Sequence, residues 1–393
     1  MKKIILLTHF FFIAIISFSQ SISKSMLRLP DTGETTTYTT TFGEDNDYTI
    51  NPPFFLLNGN GTVTDTITGL MWQQTDGGEM TIENAIIYCD MLTLGSYNDW
   101  RLPNAHESFS ILNHQYANPA MDATVFTTTL AEYWWTSDRQ ANDSNKVWVT
   151  NAGGGIGNHP KTETTSAGGI KRFHARAVRD ITTPPVIPDR FTNNGNGTIT
   201  DNLTNLIWQQ VPYSDTLTWE QSLTYADTLS FTGISDWRLP NIKELQSIND
   251  ETLINPSLKT NFFSVTGAKK YWSSTTLPNQ TSNAWYMNTQ FGITTYALKT
   301  LKQSLICVRG NQTTTGISEI KISGTAIYPN PFTSTINIKN KSGNEIFELT
   351  NCVGEIIYSG KYIEQQNFSF LENGIYFLKV GDKTNSVIKL LKE

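Results

Sequence analysis

Asp99 and Arg101 stand two residues apart in the hexapeptide DWRLPN, and the same six residues return as Asp236 to Asn241, carrying Asp236 and Arg238. A carboxylate and a guanidinium at that spacing can hold an anion, exchange a proton or form an ion pair. A second pair of carboxylates, Asp65 and Asp201, closes the related runs NGNGTVTD and NGNGTITD, so a secreted hydrolase using repeated carboxylates is one chemistry open to this chain. Those two aspartates, however, follow a strand and begin a polar turn, where Asp commonly accepts hydrogen bonds from its own backbone. Histidine chemistry has little support, since His106, His114, His159 and His174 all precede the second copy and have no counterpart in it. No Cys or His pair shows metal-ligand spacing. The stretch AGGGIGNHP, residues 152–160, lacks the Lys-Ser/Thr of a phosphate loop and reads as a flexible surface loop. No metal and no cofactor is expected. The remaining chemistry is cationic. Lys161, Lys171, Arg172, Arg176 and Arg179 cluster late in the first copy, and Lys269, Lys270, Lys299 and Lys302 in the second. Lys161, Lys171, Arg172, Lys269 and Lys270 are the candidate ligand residues, able to meet an anionic glycan through charge-assisted hydrogen bonds. Their alternative reading is a solvated face.

What positions these residues is a long internal repeat. NGNGTVTDTITGLMWQQ from Asn58 matches NGNGTITDNLTNLIWQQ from Asn194, and the match runs on through DWRLPN to YWWTS against KYWSS. Two homologous domains follow, over residues 54–180 and 190–310, joined by a proline-rich linker at 181–189. All ten tryptophans fall inside them. Eight form pairs: Trp72 with Trp208, Trp100 with Trp237, Trp135 with Trp272, and Trp148 with Trp285. Large aromatics at equivalent positions are expected to anchor the cores.

The hexapeptide runs into AHE in one copy and IKE in the other, placing Glu107 and Glu244 three residues after Asn104 and Asn241. That is a capping box, so DWRLPN is predicted to be a strand-to-helix corner in which Asp99, Trp100, Arg101 and Asp236, Trp237, Arg238 are structural. Proline before the cap forbids an earlier helix start. The Asp and Arg of the hexapeptide could themselves form a buried ion pair. A second helix opens at Thr81 and at Thr218. NGNGT reads as a hairpin turn and lacks the acidic ligands of a calcium loop.

Cys89 has Ala226 as its equivalent, and Cys307 has Ala177. Either both thiols are free in the core or a bridge from Cys89 to Cys307 crosses the domains, which requires Cα atoms within about 7 Å.

The 393 residues carry a net charge of −6 and only 16% charged residues, which argues against nucleic acid as a partner and suits β-rich extracellular domains. Lys2 and Lys3 precede the apolar run IILLTHFFFIAIISF, the pattern of a secretory signal peptide over residues 1–20. No later run approaches the length of a membrane span, so the mature chain is expected to have no transmembrane segment. Residues 21–53 are Thr-rich and read as a loosely ordered leader. From residue 316 short alternating runs separated by Gly and Asn predict a small antiparallel sandwich.

The ordered set GNGTVTD, GLMWQ, YC, DWRLPN, YWWTS, VWV and VR resembles the Lcl C-terminal domain family, and the likeness covers both repeats. The resemblance implies a C-type-lectin-like α+β fold and, from its best-understood members, adhesion through sulfated glycosaminoglycans. Members of that family usually carry both cysteines, at the positions of Cys89 and Cys307, whereas here each repeat has one. The tail, with AIYPNPFTSTINI, NGIYFLKV and KLLKE, resembles a type IX secretion sorting domain of type A over residues 316–393. That likeness implies an Ig-like β sandwich that engages the type IX secretion machinery and leads to secretion or display on the outer cell surface. The reading is an exported, non-enzymatic protein with tandem lectin-like modules, its partner an extracellular glycan or surface protein. A purely architectural surface role is the third option.

Overall fold

The computed structural model describes residues 22–23, 25–127, 129–162, 173–310, 313–314, 326–328, 332–339, 345–351, 355–380 and 387–392. Residues 1–20, where a signal peptide is expected, and Lys171, Arg172 and Cys352 lie outside the described residues. The chain divides into a unit of residues 1–313, holding both repeats, and a smaller unit of residues 314–393.

Each repeat begins as a β meander. In the first, β1 (Phe55–Leu57), β2 (Thr62–Asp65) and β3 (Leu70–Gln73) pair antiparallel, with Val63 opposite Trp72 and both fully buried. The turn between β1 and β2 works through Gly59 and Gly61, at φ 72° and 81°. Asn60 contributes its side chain, which accepts from the Thr62 hydroxyl at 2.7 Å. So the glycines alone take positive φ there, and Asn builds the turn by hydrogen bonding.

Helix α1 (Ile82–Asp90) starts at Thr81, whose hydroxyl accepts the Asn84 N–H, and α2 (Ala105–Ser110) starts at Asn104. Then follow β4 (Tyr133–Gln140), β5 (Asp143–Asn151), β6 (Ile156–Pro160), β7 (Phe173–His174) and β8 (Val178–Asp180). They form two sheets of order β8-β3-β2-β1 and β6-β5-β4-β7. Strand β8 comes back to pair with β3, so the last strand of the repeat closes against its opening meander.

The second repeat follows the same plan. Strands β9 (Phe191–Asn193), β10 (Thr198–Asp201) and β11 (Leu206–Gln209) lead to helices α3 (Trp219–Thr228) and α4 (Ile242–Ser247). Strands β12 (Lys270–Thr276), β13 (Asn283–Asn288), β14 (Ile293–Leu298) and β15 (Val308–Arg309) complete it. Its sheets have the orders β9-β10-β11-β15 and β12-β13-β14.

The repeats pack on each other through equivalent elements, α2 on α4 and β6 against β14. Such self-matching contacts are what an approximate two-fold relation produces. The glycine-rich stretch expected to be a surface loop lies in this interface instead. Gly154 and Gly155 are buried beside the Trp285 ring, where a side chain on Gly154 would meet that ring at 3.2 Å. The Ile156 N–H donates across to the Thr294 hydroxyl at 2.9 Å. Glycine is needed there because the Trp285 ring and, at Gly155, the Thr294 carbonyl come so close.

The Thr-rich leader also differs from its expectation. Thr32, Asp45, Tyr48 and Ile50 are buried, and the segment lies as a strap on the second repeat. Its cohesion comes from placed polar contacts, which composition does not announce. The Lys243 ammonium joins three parts of the unit, donating to the Asp31 carbonyl of the strap at 2.8 Å and to the Ser110 carbonyl of α2 at 2.7 Å.

The smaller unit pairs β16 (Ala326–Tyr328) with β17 (Asn337–Lys339). A four-stranded antiparallel sheet has β18 (Phe347–Asn351), β19 (Ile356–Gly360), β20 (Gly374–Val380) and β21 (Val387–Lys392) in the order β19-β18-β20-β21. Phe332, Phe347, Leu349, Leu378 and Leu390 form its core.

Candidate functional site

The repeated hexapeptide is the first place to look for chemistry, and its polar groups are committed to structure. The Asn104 side chain accepts the Glu107 N–H at 2.8 Å while the Glu107 carboxylate accepts the Asn104 N–H at 2.9 Å. The same carboxylate takes a two-pronged contact from Arg101, at 2.7 and 2.8 Å. Asn241, Glu244 and Arg238 repeat the arrangement, with Arg238 to Glu244 at 2.5 and 2.6 Å. Glu107 and Glu244 are therefore both caps and counter-ions.

The hexapeptide's own Asp and Arg do not pair with each other. Asp99 meets Arg179 at 2.6 and 2.9 Å, and Asp236 meets Arg309 at the same distances. Alternation along the extended corner points Asp and Arg of DWR to the same side but toward different elements: the Asp reaches the arginine of the terminal Val-Arg, and the Arg reaches back to the cap. The Arg101 backbone exchanges two hydrogen bonds with Val178, both 2.9 Å, and Arg238 does the same with Val308. The corner is the clasp that holds helix start and closing strand together.

The other carboxylates are equally occupied. Asp65 is buried and accepts the N–H groups of Ile67 and Thr68, and Asp201 accepts that of Leu203. The eight paired tryptophans are all buried. Trp135 and Trp272 donate from the indole to the Met80 and Leu217 carbonyls, just ahead of the N-caps of α1 and α3.

One polar cluster belongs to the first repeat alone. Asp76 accepts from His174 Nδ1 at 2.8 Å, from Trp134 at 3.0 Å and from Thr129 at 2.7 Å, with the Arg176 guanidinium at 3.6 Å. These partners hold its carboxyl down at about 2 against the burial that would raise it. Asp76, His174 and Arg176 are all buried, so a diffusing substrate does not reach the Asp–His pair. Arg176 donates to the Gln73 and Gln74 carbonyls and is an internal brace. Sequence spacing gave no sign of this group, because Asp76 and His174 are 98 positions apart. His114 is also buried, hydrogen bonded to the Gly154 carbonyl and pushed down to about 3 by burial, with the Lys243 charge adding to the effect.

Removing Arg176 and Arg179 from the surface cations leaves a smaller set. Lys269 and Lys270 are exposed at the start of β12, and the Ser304 N–H donates to the Lys270 carbonyl, bringing the segment of exposed Lys302 alongside. Lys299 is withdrawn onto the Trp219 ring at 3.8 Å. Lys161 is half-buried and sits at the end of β6. The structure does not gather Lys161 with Lys269 and Lys270 at equivalent positions, since Lys269 and Lys270 correspond to Glu132 and Tyr133 of the first repeat.

Residues 61–179 and 197–309 each match the Lcl C-terminal domain model, together more than half of the chain. The chain belongs to the Lcl C-terminal domain family. Residues 326–392 match a secretion system C-terminal sorting domain, and with that tail the protein is secreted to the outer cell surface by the type IX route. No curated protein matches it in sequence. Among solved structures it is similar to PorZ, an essential bacterial surface component of the type-IX secretion system of Porphyromonas gingivalis, at 15% identity and a TM-score of 0.16. That likeness covers 66% of this chain and 30% of PorZ, and is too slight to support any argument about fold.

Within the two Lcl C-terminal repeats the cysteines are free and buried in separate cores, so no bridge joins Cys89 to Cys307. Cys89 shares its core with Ala177, and Cys307 shares its own with Ala226. Each thiol thus lies in the same core as the alanine that took its partner's place. Burial drives both thiols well above the ordinary range, Cys89 to about 12. They behave as small apolar side chains. Among the described residues no cluster could hold a metal ion, and no helix is long and apolar enough to cross a membrane.

Proposed function

We propose that this secreted, surface-directed protein is a non-enzymatic adhesin whose tandem Lcl C-terminal repeats are C-type-lectin-like modules binding an anionic, sulfated extracellular glycan. On this reading the sorting tail is an Ig-like sandwich that serves export alone. The observation that carries the proposal is the division of labour among charges. The repeated carboxylates are spent on caps, turns and ion pairs, while Lys269, Lys270 and Lys302 remain exposed together on the second repeat. Exposed ammonium groups suit sulfate recognition by charge-assisted hydrogen bonds, and such contacts weaken as salt rises.

The experiment is a screen of the mature chain against neutral and sulfated glycans at low and moderate salt, with and without a chelator. Binding confined to sulfated chains, weakened by salt and indifferent to the chelator, is the expected result. Binding that needs calcium, or none to any glycan, overturns it.

A further inference from the structure

The two repeats differ in one conspicuous way: among the described residues a strap covers one and leaves the matching helix face of the other exposed. On the second repeat the leader runs over α4, β12 and α3 in turn. Asn241 donates to Asp31 at 3.1 Å, and the Thr275 hydroxyl donates to Asp45 at 2.5 Å. The Thr276 N–H donates to Glu34 at 3.4 Å, and Thr39 reaches Glu220 at 2.8 Å. Tyr48 lies on the Arg238 guanidinium, and Gly43 comes close enough to Leu223 that a side chain there would touch it at 3.5 Å. Under this cover Leu223 is fully buried and the Arg238 side chain is 1% exposed.

The first repeat has the same elements without the cover. Ile86, the equivalent of Leu223, is 43% exposed, and the Arg101 side chain is 38% exposed. The apolar area is wider here, because Ile87 and Met91 stand where the second repeat has Thr224 and Thr228. Both are exposed, at 54% and 76%. Among the described residues only the beginning of the path is filled: Glu251 meets His106 at 3.0 Å, where the strap's Asp31 lies beside Lys243. From Arg101 to Ile86 the described residues leave the path open.

We propose that this face of the first repeat is a docking groove for an extended polypeptide segment of a partner protein. The face also specifies what that segment carries. Thr275 and Thr276 are replaced by Asp138 and Arg139. Asp138 already accepts the Ala105 N–H at 2.7 Å, and as a carboxylate it can only accept. The residue facing it must be a donor or a cation, not the aspartate that faces Thr275. Arg139 is half-buried and takes the place of Thr276, whose backbone N–H holds Glu34, so a carboxylate belongs opposite it. An apolar side chain then covers Ile86. A second copy's leader is disfavoured by the same logic, since its Asp45 would face Asp138. The groove is separate from the exposed lysines assigned above to glycan binding.

The test uses the mature chain and two synthetic peptides: leader residues 29–50 unaltered, and the same peptide with Asp45→Lys. Hydrogen exchange in α1 is the readout. The altered peptide is expected to protect α1 and to bind at least about tenfold more tightly than the unaltered one, the size of about 1.4 kcal/mol. The double variant Asp138→Thr with Arg139→Thr recreates the second repeat's groove and should reverse the preference. A merely sticky apolar patch would show no such reversal. Ile86→Asp should abolish both. Absence of α1 protection by the altered peptide up to about 1 mM, or equal affinity for both peptides, overturns the proposal. So does self-association that Ile86→Asp abolishes, which would make the occupant a second copy, or protection of α1 by heparin instead of peptide.

Discussion

Replacing Arg238 by alanine should cost more stability than replacing Arg101, although both are the third residue of the same hexapeptide. Arg238 and Glu244 are each 1% exposed and joined by two short hydrogen bonds. Loss of the guanidinium leaves the Glu244 carboxylate buried beneath the strap, with the Asn241 N–H as a remaining donor. Breaking a buried pair on one side costs about 3–5 kcal/mol. Glu107 is as buried as Glu244, but Arg101 is 38% exposed, so water can enter its place beside Glu107 and Asp180, and about 1.5–3 kcal/mol is expected, the cost of a hydrogen bond to a charged group. The difference is a substantial share of the roughly 5–15 kcal/mol that holds a domain together. Urea unfolding of the mature chain, followed by tryptophan fluorescence, measures both. Equal costs for the two variants would refute the claim that burial by the strap sets the strength of the corner. An Arg238→Ala chain that keeps its stability but loses ligand binding would refute the structural assignment of the hexapeptide itself.

Restoring the missing half of each cysteine pair is the next perturbation. Ala177→Cys and Ala226→Cys should each form an intra-repeat disulfide under oxidising conditions, stabilising by up to about 4.5 kcal/mol for loops of roughly 80 to 90 residues; peptide mapping that finds only free thiols would contradict the placing of each pair in one core. Asp99→Asn removes an exposed contact to Arg179 and should cost about 1 kcal/mol or less, measured in the same urea assay. Gly154→Ala places a side chain against Trp285 at a φ of 101° and should destabilise by about 1–3 kcal/mol in that assay. The strap should loosen as pH rises. Burial lifts Asp31 to about 6 and Asp45 to about 8, and lifts Glu34 as well, with repulsion from Asp31 adding at Asp45, from Asp45 at Glu34 and from Glu244 at Asp31, and with Lys243 opposing it at Asp31 and Lys299 at Glu34. The folded chain thus holds more protons than the unfolded one between about pH 4 and 8, and strap stability falls across that window. Amide exchange at Ile50, corrected for the intrinsic pH dependence, should speed up from pH 5 to pH 8; slower opening at pH 8 would contradict the sign.

The parts of this architecture legible in the sequence are local ones. A capping box needs three residues' spacing, so Asn104 with Glu107 and Asn241 with Glu244 could be read directly. The duplication was legible because whole motifs recur. What escaped were contacts between distant positions. Asp99 finds Arg179 80 positions away, although the recurrence of Val-Arg at the end of both repeats was a signal that its arginine had a repeated partner. The leader looked loose because threonine and acidic residues carry no periodic apolar pattern, yet its order comes from individual hydrogen bonds to the second repeat. The glycine-rich stretch looked mobile for a similar reason: small residues permit flexibility, and equally permit the close approach of Trp285. Nothing in the first repeat's sequence announced that Arg176 is internal, since a cation's burial depends on the carbonyls and carboxylate that surround it.

The central claim is that the repeated hexapeptide builds the fold while recognition belongs to exposed lysines. Heparin binding by the mature chain, measured across a salt series for wild type, Lys269→Ala/Lys270→Ala and Asp99→Asn/Asp236→Asn, tests it most directly. The account predicts weaker binding and a shallower salt dependence for the lysine pair, and wild-type behaviour for the aspartate pair. Loss of binding in the aspartate pair, with a folded chain and unaffected lysine variants, would contradict it.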